Sequence, residues 1–193
     1  MVFGKRAGAH AAHRARNLAP PPIDEDQVKA AIATMLEPLE RGEGENPGLI
    51  YDEMRDMMQA KVGIIRTKDE LEEALEDLKA FRARADACFP GTDRRYNSGW
   101  HQALDLVNMA DISTVAALAA LTREESRGGH TRDDFPVPDE DHWGQHLNIV
   151  WMEDGDIKIR QERVEPIRQD LQVALDEVKA MIKERAEQQG GGK

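Results

Sequence analysis

LDLVNMADISTVAALAAL, residues 104–121, runs without a break into TREESRGGHTRDDFP, residues 122–136. The first string holds neither glycine nor proline and spaces its apolar side chains three and four apart, the period of a helix with a buried face. Extended back to about Asn97, this helix is expected to turn Trp100, Leu104, Val107, Ile112, Val115 and Leu118 inward. Asp105, Asn108 and Asp111 interrupt the apolar run, which points to a buried helix rather than a membrane span. The second string is of another kind. It crowds three arginines, one histidine, four carboxylates and a Gly-Gly pair between the helix and Pro136.

Working outward, three more amphipathic segments precede this one. Asp24 to Arg41 carries Val28, Ala31, Ile32, Met35, Leu36 and Leu39 on one stripe, with Pro38 expected to bend or end the last turn. After a loop from Gly42 to Pro47, Leu49 to Val62 aligns Ile50, Met54, Met57, Met58 and Val62. Asp69 to Cys88 aligns Leu71, Ala74, Leu75, Leu78, Phe81 and Ala85, has glutamates in its first turns where the helix dipole favours them, and stops at Pro90-Gly91. Val2 to Asn17 reads as a helix of small residues, suited to lie against a broad surface, and Pro20-Pro21-Pro22 breaks the chain after it.

Downstream the period shortens. Leu147, Ile149 and Trp151 alternate with less apolar positions, Glu153-Asp154-Gly155-Asp156 makes a turn, and Ile157 and Ile159 alternate with Lys158 and Arg160. A last helix, from about Pro166 to Gln188, carries Leu171, Leu175, Val178 and Ile182. The fold class is therefore mainly α: a bundle of three or more long helices with a small β-hairpin near residues 146–160. The expected divisions are 1–19, a Pro linker at 20–22, a helical domain at 23–189 and a flexible tail at 190–193.

Composition narrows the function. A net charge of -11 with no strongly basic stretch beyond the first sixteen residues argues against nucleic acid as a partner. Lys5 and Arg6 are followed by no apolar segment of the kind a secretory signal needs. The single Cys88 excludes an internal disulfide, fits a reducing compartment and reads as a packed thiol. Neither a glycine-rich dinucleotide fingerprint nor a P-loop is present. His142 and His146 share the spacing of a helical metal pair, but Gly144 between them weakens a helix and no glutamate accompanies them, so no metal site is assigned.

The arginine-rich string has two readings on its residues alone. In one, Arg123, Arg127 and Arg132 satisfy Glu124, Glu125, Asp133 and Asp134 in an ion-paired connector. In the other, the planar guanidinium forks and the Gly128-Gly129 backbone meet another domain or a dicarboxylate, with His130 able to carry a proton.

The same string resembles the R-x-E-S-R-G-x-H-x-R-x-D-x-P signature of the flavoprotein subunit of succinate dehydrogenase and fumarate reductase, of which L-aspartate oxidase is a sibling. Three more stretches match in family order. Val2-Phe3-Gly4-Lys5-Arg6-Ala7-Gly8 is similar to the segment that ends the family's flavin-binding domain. Met58 with Val62-Gly63-Ile64-Ile65-Arg66-Thr67 and Leu71 resembles its M…V-G-I-x-R-T…L element, and Trp143 with His146 fits its W-x-x-H. Gly129 stands where the family commonly has alanine.

The resemblance implies that residues 1–19 are the remnant of the last flavin-domain helix and that 23–189 is the family's C-terminal helical domain. Its parent interconverts succinate and fumarate with FAD and passes electrons to an iron–sulfur subunit. It sits in the cytoplasm, peripheral to the inner face of the cytoplasmic membrane, without inserting into it. The family's flavin-attaching and substrate-gripping residues precede the Val-Phe-Gly segment, so no catalytic, cofactor-binding or metal residue is carried over and the chain alone is expected to be inactive. What carries over is the signature itself, Arg123, Glu125, Ser126, Arg127, Gly128, His130, Arg132 and Asp134, expected to close the helical domain against the flavin-binding and capping regions. Met1, standing where the family has an interior residue, favours a truncated product. A self-standing helical interaction module and one chain of a split flavoprotein are the alternatives.

Overall fold

Four helices begin where side chains take up the free amides of the first turn. A computed structural model of the chain describes residues 2–190 and places six helices and four strands along them. Helix α1 spans Val2–Asn17. Asp24 caps α2 (Glu25–Glu40) by accepting from the amides of Asp26 and Gln27, at 3.0 and 3.2 Å. Asn46 caps α3 (Pro47–Lys61), whose first residue is a proline, where a missing N–H costs nothing. Thr67 and Glu70 form a reciprocal capping box at the start of α4 (Lys68–Ala87), and Asn97 caps α5 (Ser98–Thr122).

The core lies among α3, α4 and α5, with the C-terminal half of α2 laid along α5. Ile50, Met54, Leu78, Phe81, Ala85, Cys88, Ala103, Leu106 and Ala110 form its centre. The inward face of α5 differs from the expected one. Its buried positions are Ala103, Leu106, Ala110, Ala117 and Ala120, whereas Ile112 is 68% exposed and Trp100, Leu104, Val107, Val115 and Leu118 are only half-buried. Alanines let neighbouring helices approach closely, and the larger side chains flank the seam. Among the described residues α5 is the one helix long and apolar enough to cross a membrane, but its buried stripe serves the bundle, and Asp111 pairs with Arg82 of α4 at 3.0 Å.

Two short strands, β1 (Ile65–Arg66) and β2 (Thr131–Arg132), pair in parallel and pin the loop after α5 beside the start of α4. Strands β3 (His146–Glu153) and β4 (Asp156–Arg163) make the expected hairpin, extended to residue 163. Its two-residue turn has φ of 52° at Asp154 and 85° at Gly155, the two positive angles of a type I′ turn. The register puts Val150 opposite Ile159 and Met152 opposite Ile157, so these share one face, while Leu147, Ile149 and Trp151 lie on the other. The hairpin is thus apolar on both faces rather than one.

The last helix, α6, covers Gln169–Gly190, and its stripe of Leu171, Leu175, Val178 and Ile182 is exposed. Every residue of α1 is exposed too, as are Val28, Ile32 and Met35 of α2. The expected tail at 190–193 falls, from residue 191 onward, outside the described residues.

Candidate functional site

Glu125 sits at the centre of the arginine-rich loop with no exposed surface, and three residues converge on it. Arg127 donates through Nε to Oε1 at 3.0 Å and through Nη2 to Oε2 at 3.1 Å, while Arg123 donates to Oε1 from Nε at 2.8 Å and also from Nη2. The backbone amide of Asp139 completes the set at 2.8 Å. Burial pushes the Glu125 carboxyl up, but the hydrogen bonds from Arg127, Asp139 and Arg123 outweigh it and hold the pKa down to about 2. Arg123 continues outward. It donates to the carbonyl of Trp143 at 2.9 Å and lies over the Trp143 ring at 5.2 Å, fastening the loop to the short 3-10 turn (Trp143–Gln145) that precedes β3.

Arg132 is also fully buried. Its Nη1 donates to the carbonyls of Ala120 and Leu121, both at 3.0 Å, in the last turn of α5. Its Nε and Nη2 take Asp134 side-on at 2.7 and 2.6 Å. Asp134 in turn accepts the amide of Lys68, the first residue of α4, at 3.1 Å. A cation therefore sits on the carbonyl end of α5 and its carboxylate on the amide end of the neighbouring α4, each where the helix dipole favours it. The hydrogen bond from Arg132 holds the Asp134 carboxyl below its ordinary range.

Ser126 ties the loop to itself: its Oγ accepts the amide of Arg132 at 2.9 Å and donates to the carbonyl of Phe135 at 2.8 Å. Arg127 and His130 exchange backbone hydrogen bonds of 2.8 and 3.0 Å across Gly128 and Gly129. Gly128 has φ of 60°, the positive angle that the first central position of a type II′ turn needs, and space around both glycines is open. His130 contacts the carbonyl of Arg123 through Nε2 at 3.1 Å and Nη1 of Arg66 through Nδ1 at 3.0 Å. An arginine can only donate, so Nδ1 accepts and the ring is the neutral Nε2–H tautomer. Burial lowers the His130 pKa; the Arg123 carbonyl opposes this, and the charges of Arg66, Arg123 and Arg132 add to the lowering.

A family model described as fumarate reductase flavoprotein C-term matches residues 51–186. The chain belongs to that C-terminal family of succinate dehydrogenase and fumarate reductase flavoprotein subunits. A succinate dehydrogenase flavoprotein subunit from Coxiella burnetii is 31% identical over 175 residues, 86% of this chain and 28% of that protein. A fumarate reductase flavoprotein subunit from Mycobacterium tuberculosis is 32% identical, over 82% of this chain and 29% of its own length. Among solved structures, the Mycobacterium smegmatis Sdh1 complex in its apo form superimposes with a TM-score of 0.77 at 40% identity, over 88% of this chain and 30% of that one. The chain thus spans about three-tenths of the length of the relatives it matches.

Within this flavoprotein C-terminal fold, the signature residues come together as one hydrogen-bonded and ion-paired knot, with Gly128 exposed at its turn. Of the four carboxylates, Glu125 and Asp134 are engaged as expected, while Glu124 and Asp133 are exposed. Arg66 and Glu140, both outside the signature, also join the knot: Arg66 meets His130 and Glu140 pairs with Arg127 at 3.1 Å. The Thr-Lys-Asp-Glu spacing at 67–70 carried a legible capping signal next to Arg66. His142 and His146 stack at 4.5 Å, not on one helix but either side of a short 3-10 turn, with His142 bonded to Gln161 and His146 to the His142 carbonyl. Among the described residues no three histidines, cysteines or acids cluster as metal ligands would.

Proposed function

We propose that this chain serves a larger flavoprotein subunit as its closing domain and does no redox chemistry alone. The observation that carries this reading is where the signature loop directs its donors. Its three arginines are taken up by Glu125, Asp134, Glu140 and backbone carbonyls, an arrangement that shapes a surface rather than one that grips and turns over a substrate. The subunit it completes interconverts succinate and fumarate with FAD and hands electrons to an iron–sulfur partner. That assembly is peripheral to the inner face of the cytoplasmic membrane. Residues 1–19 belong with the flavin-binding part, 20–22 form the linker and 23–189 the closing domain. The exposed small-residue face of α1 and the exposed stripe of α2 fit this division, because each presents a surface suited to burial against a partner.

The test is reconstitution. The purified chain is expected to be colourless and inactive toward succinate and fumarate. Co-production with the flavin-bearing portion of a relative is expected to yield a yellow complex with succinate-dependent dye reduction. A preparation of the chain alone that holds flavin would overturn the reading.

A further inference from the structure

Arg66 differs from the three arginines around it. Arg123, Arg127 and Arg132 each hold a carboxylate, whereas no carboxylate of the described residues reaches Arg66. The guanidinium is nevertheless fixed in place. Nε donates to the Gly63 carbonyl at 2.6 Å, Nη1 donates to the neutral His130 at 3.0 Å, and the backbone is held in the β1–β2 pair. Two of its five N–H donors are thereby used, and Nη2 has no partner among the described residues. Asn148 Oδ1 is the one buried side-chain polar atom there that lacks a partner, so Nη2 reaches solvent. Arg66 is itself half-buried, and a half-buried cation without a counter-charge calls for one. Its surroundings are those of a contact surface: Ile64 and Ile65 are 73% and 60% exposed, and the Gly128-Gly129 turn beside His130 leaves open space.

We infer that Arg66, oriented by His130, is a receptor for a single carboxylate presented by an aspartate or glutamate side chain on the protein surface this loop faces. One rigid guanidinium edge matches one carboxylate, and the flanking isoleucines suit a protein neighbour rather than a free hydrated anion. The inference rests on the closing-domain reading and names the chemistry of the group that meets it.

The test uses the full chain, isotopically labelled, and follows the Arg66 guanidinium and His130 ring by NMR. Acetate is titrated against chloride at constant ionic strength. A saturable shift at both groups is expected, weakened roughly tenfold in Arg66→Lys, which keeps the charge but loses the fork, and abolished in Arg66→Gln. A short capped peptide with one aspartate between isoleucines is expected to bind more tightly than acetate. Shifts that stay linear, match those in chloride, or persist in Arg66→Gln overturn the site. Succinate binding more than tenfold tighter than acetate would assign it to a free dicarboxylate and overturn the protein source. Should Arg66→Gln fail to fold, the wild-type titration decides alone. None of these outcomes bears on whether the chain restores a flavin-bearing partner, so the two readings fail separately.

Discussion

Arg132 and Asp134, two residues apart, join the carbonyl end of α5 to the amide end of α4 through one ion pair of 2.6 Å. Because Arg132 is 1% exposed in its side chain, removing it strands the Ala120 and Leu121 carbonyls and leaves Asp134 without its cation. Arg132→Met is expected to lower unfolding free energy by about 3 kcal/mol. Urea denaturation should show it, with Asp134→Asn less damaging because that side chain is 30% exposed.

Glu125 is the more sensitive member of the loop. Glu125→Ala leaves Arg123 and Arg127 facing each other around an empty centre, and a loss of about 3–5 kcal/mol is expected. Arg127→Ala should lower the melting temperature by less, since its side chain is 36% exposed and Arg123 still holds the carboxylate. Equal melting temperatures for the two variants would contradict this ranking.

Acid should weaken the fold in a defined window. A carboxyl whose folded pKa is about 2, against an ordinary value of 4.5, contributes stability that is complete above 4.5 and is lost as pH falls toward 2. Asp134, also lowered, acts in the same direction. His130 is lowered as well, so its contribution is present above its ordinary value of 6.5 and declines as acid protonates it. Chemical denaturation across pH should therefore show stability falling on the acid side, with a shallower slope below 4.5 in Glu125→Gln.

The two loop glycines should separate cleanly. Gly128→Ala forces a side chain onto φ of 60° and is expected to cost about 1 kcal/mol. Gly129→Ala, in open space and without a positive φ, should leave the melting temperature unchanged.

Tyr96 gives the opposite sign. It is fully exposed yet holds φ of 55°, kept there by Asn97, whose amide group donates to the carbonyls of Pro90 and Asp93. Tyr96→Gly should raise stability by up to about 1 kcal/mol, relief of strain exceeding the added freedom of the unfolded chain. A lower melting temperature would mean that the tyrosine makes contacts in solution.

Helix existence was legible because α2 to α5 each carry an apolar stripe at helical spacing, and the Asp-Gly turn announced the hairpin. The face of α5 was not, because the largest apolar side chains do not mark its buried face, which is made chiefly of Ala103, Ala110, Ala117 and Ala120. Pattern alone could not give the β1–β2 pair, since two residues show no period. Nor could it give the knot around Glu125 and Arg132, since a run of alternating charges in sequence looks the same whether water or protein satisfies it. Nor does pattern pair Arg66 with His130, because the two stand sixty-four positions apart.

The alanine seam of α5 fixes how far this domain can drift. Where four of the five buried positions facing the neighbouring helices are alanines, evolution has little latitude: a valine or leucine at Ala103, Ala110 or Ala117 would push α5 away from the helices it packs on. Ile112, on the outer side of the same helix, is free to vary in size. Homologous chains should therefore look conservative at their smallest residues and permissive at a large one.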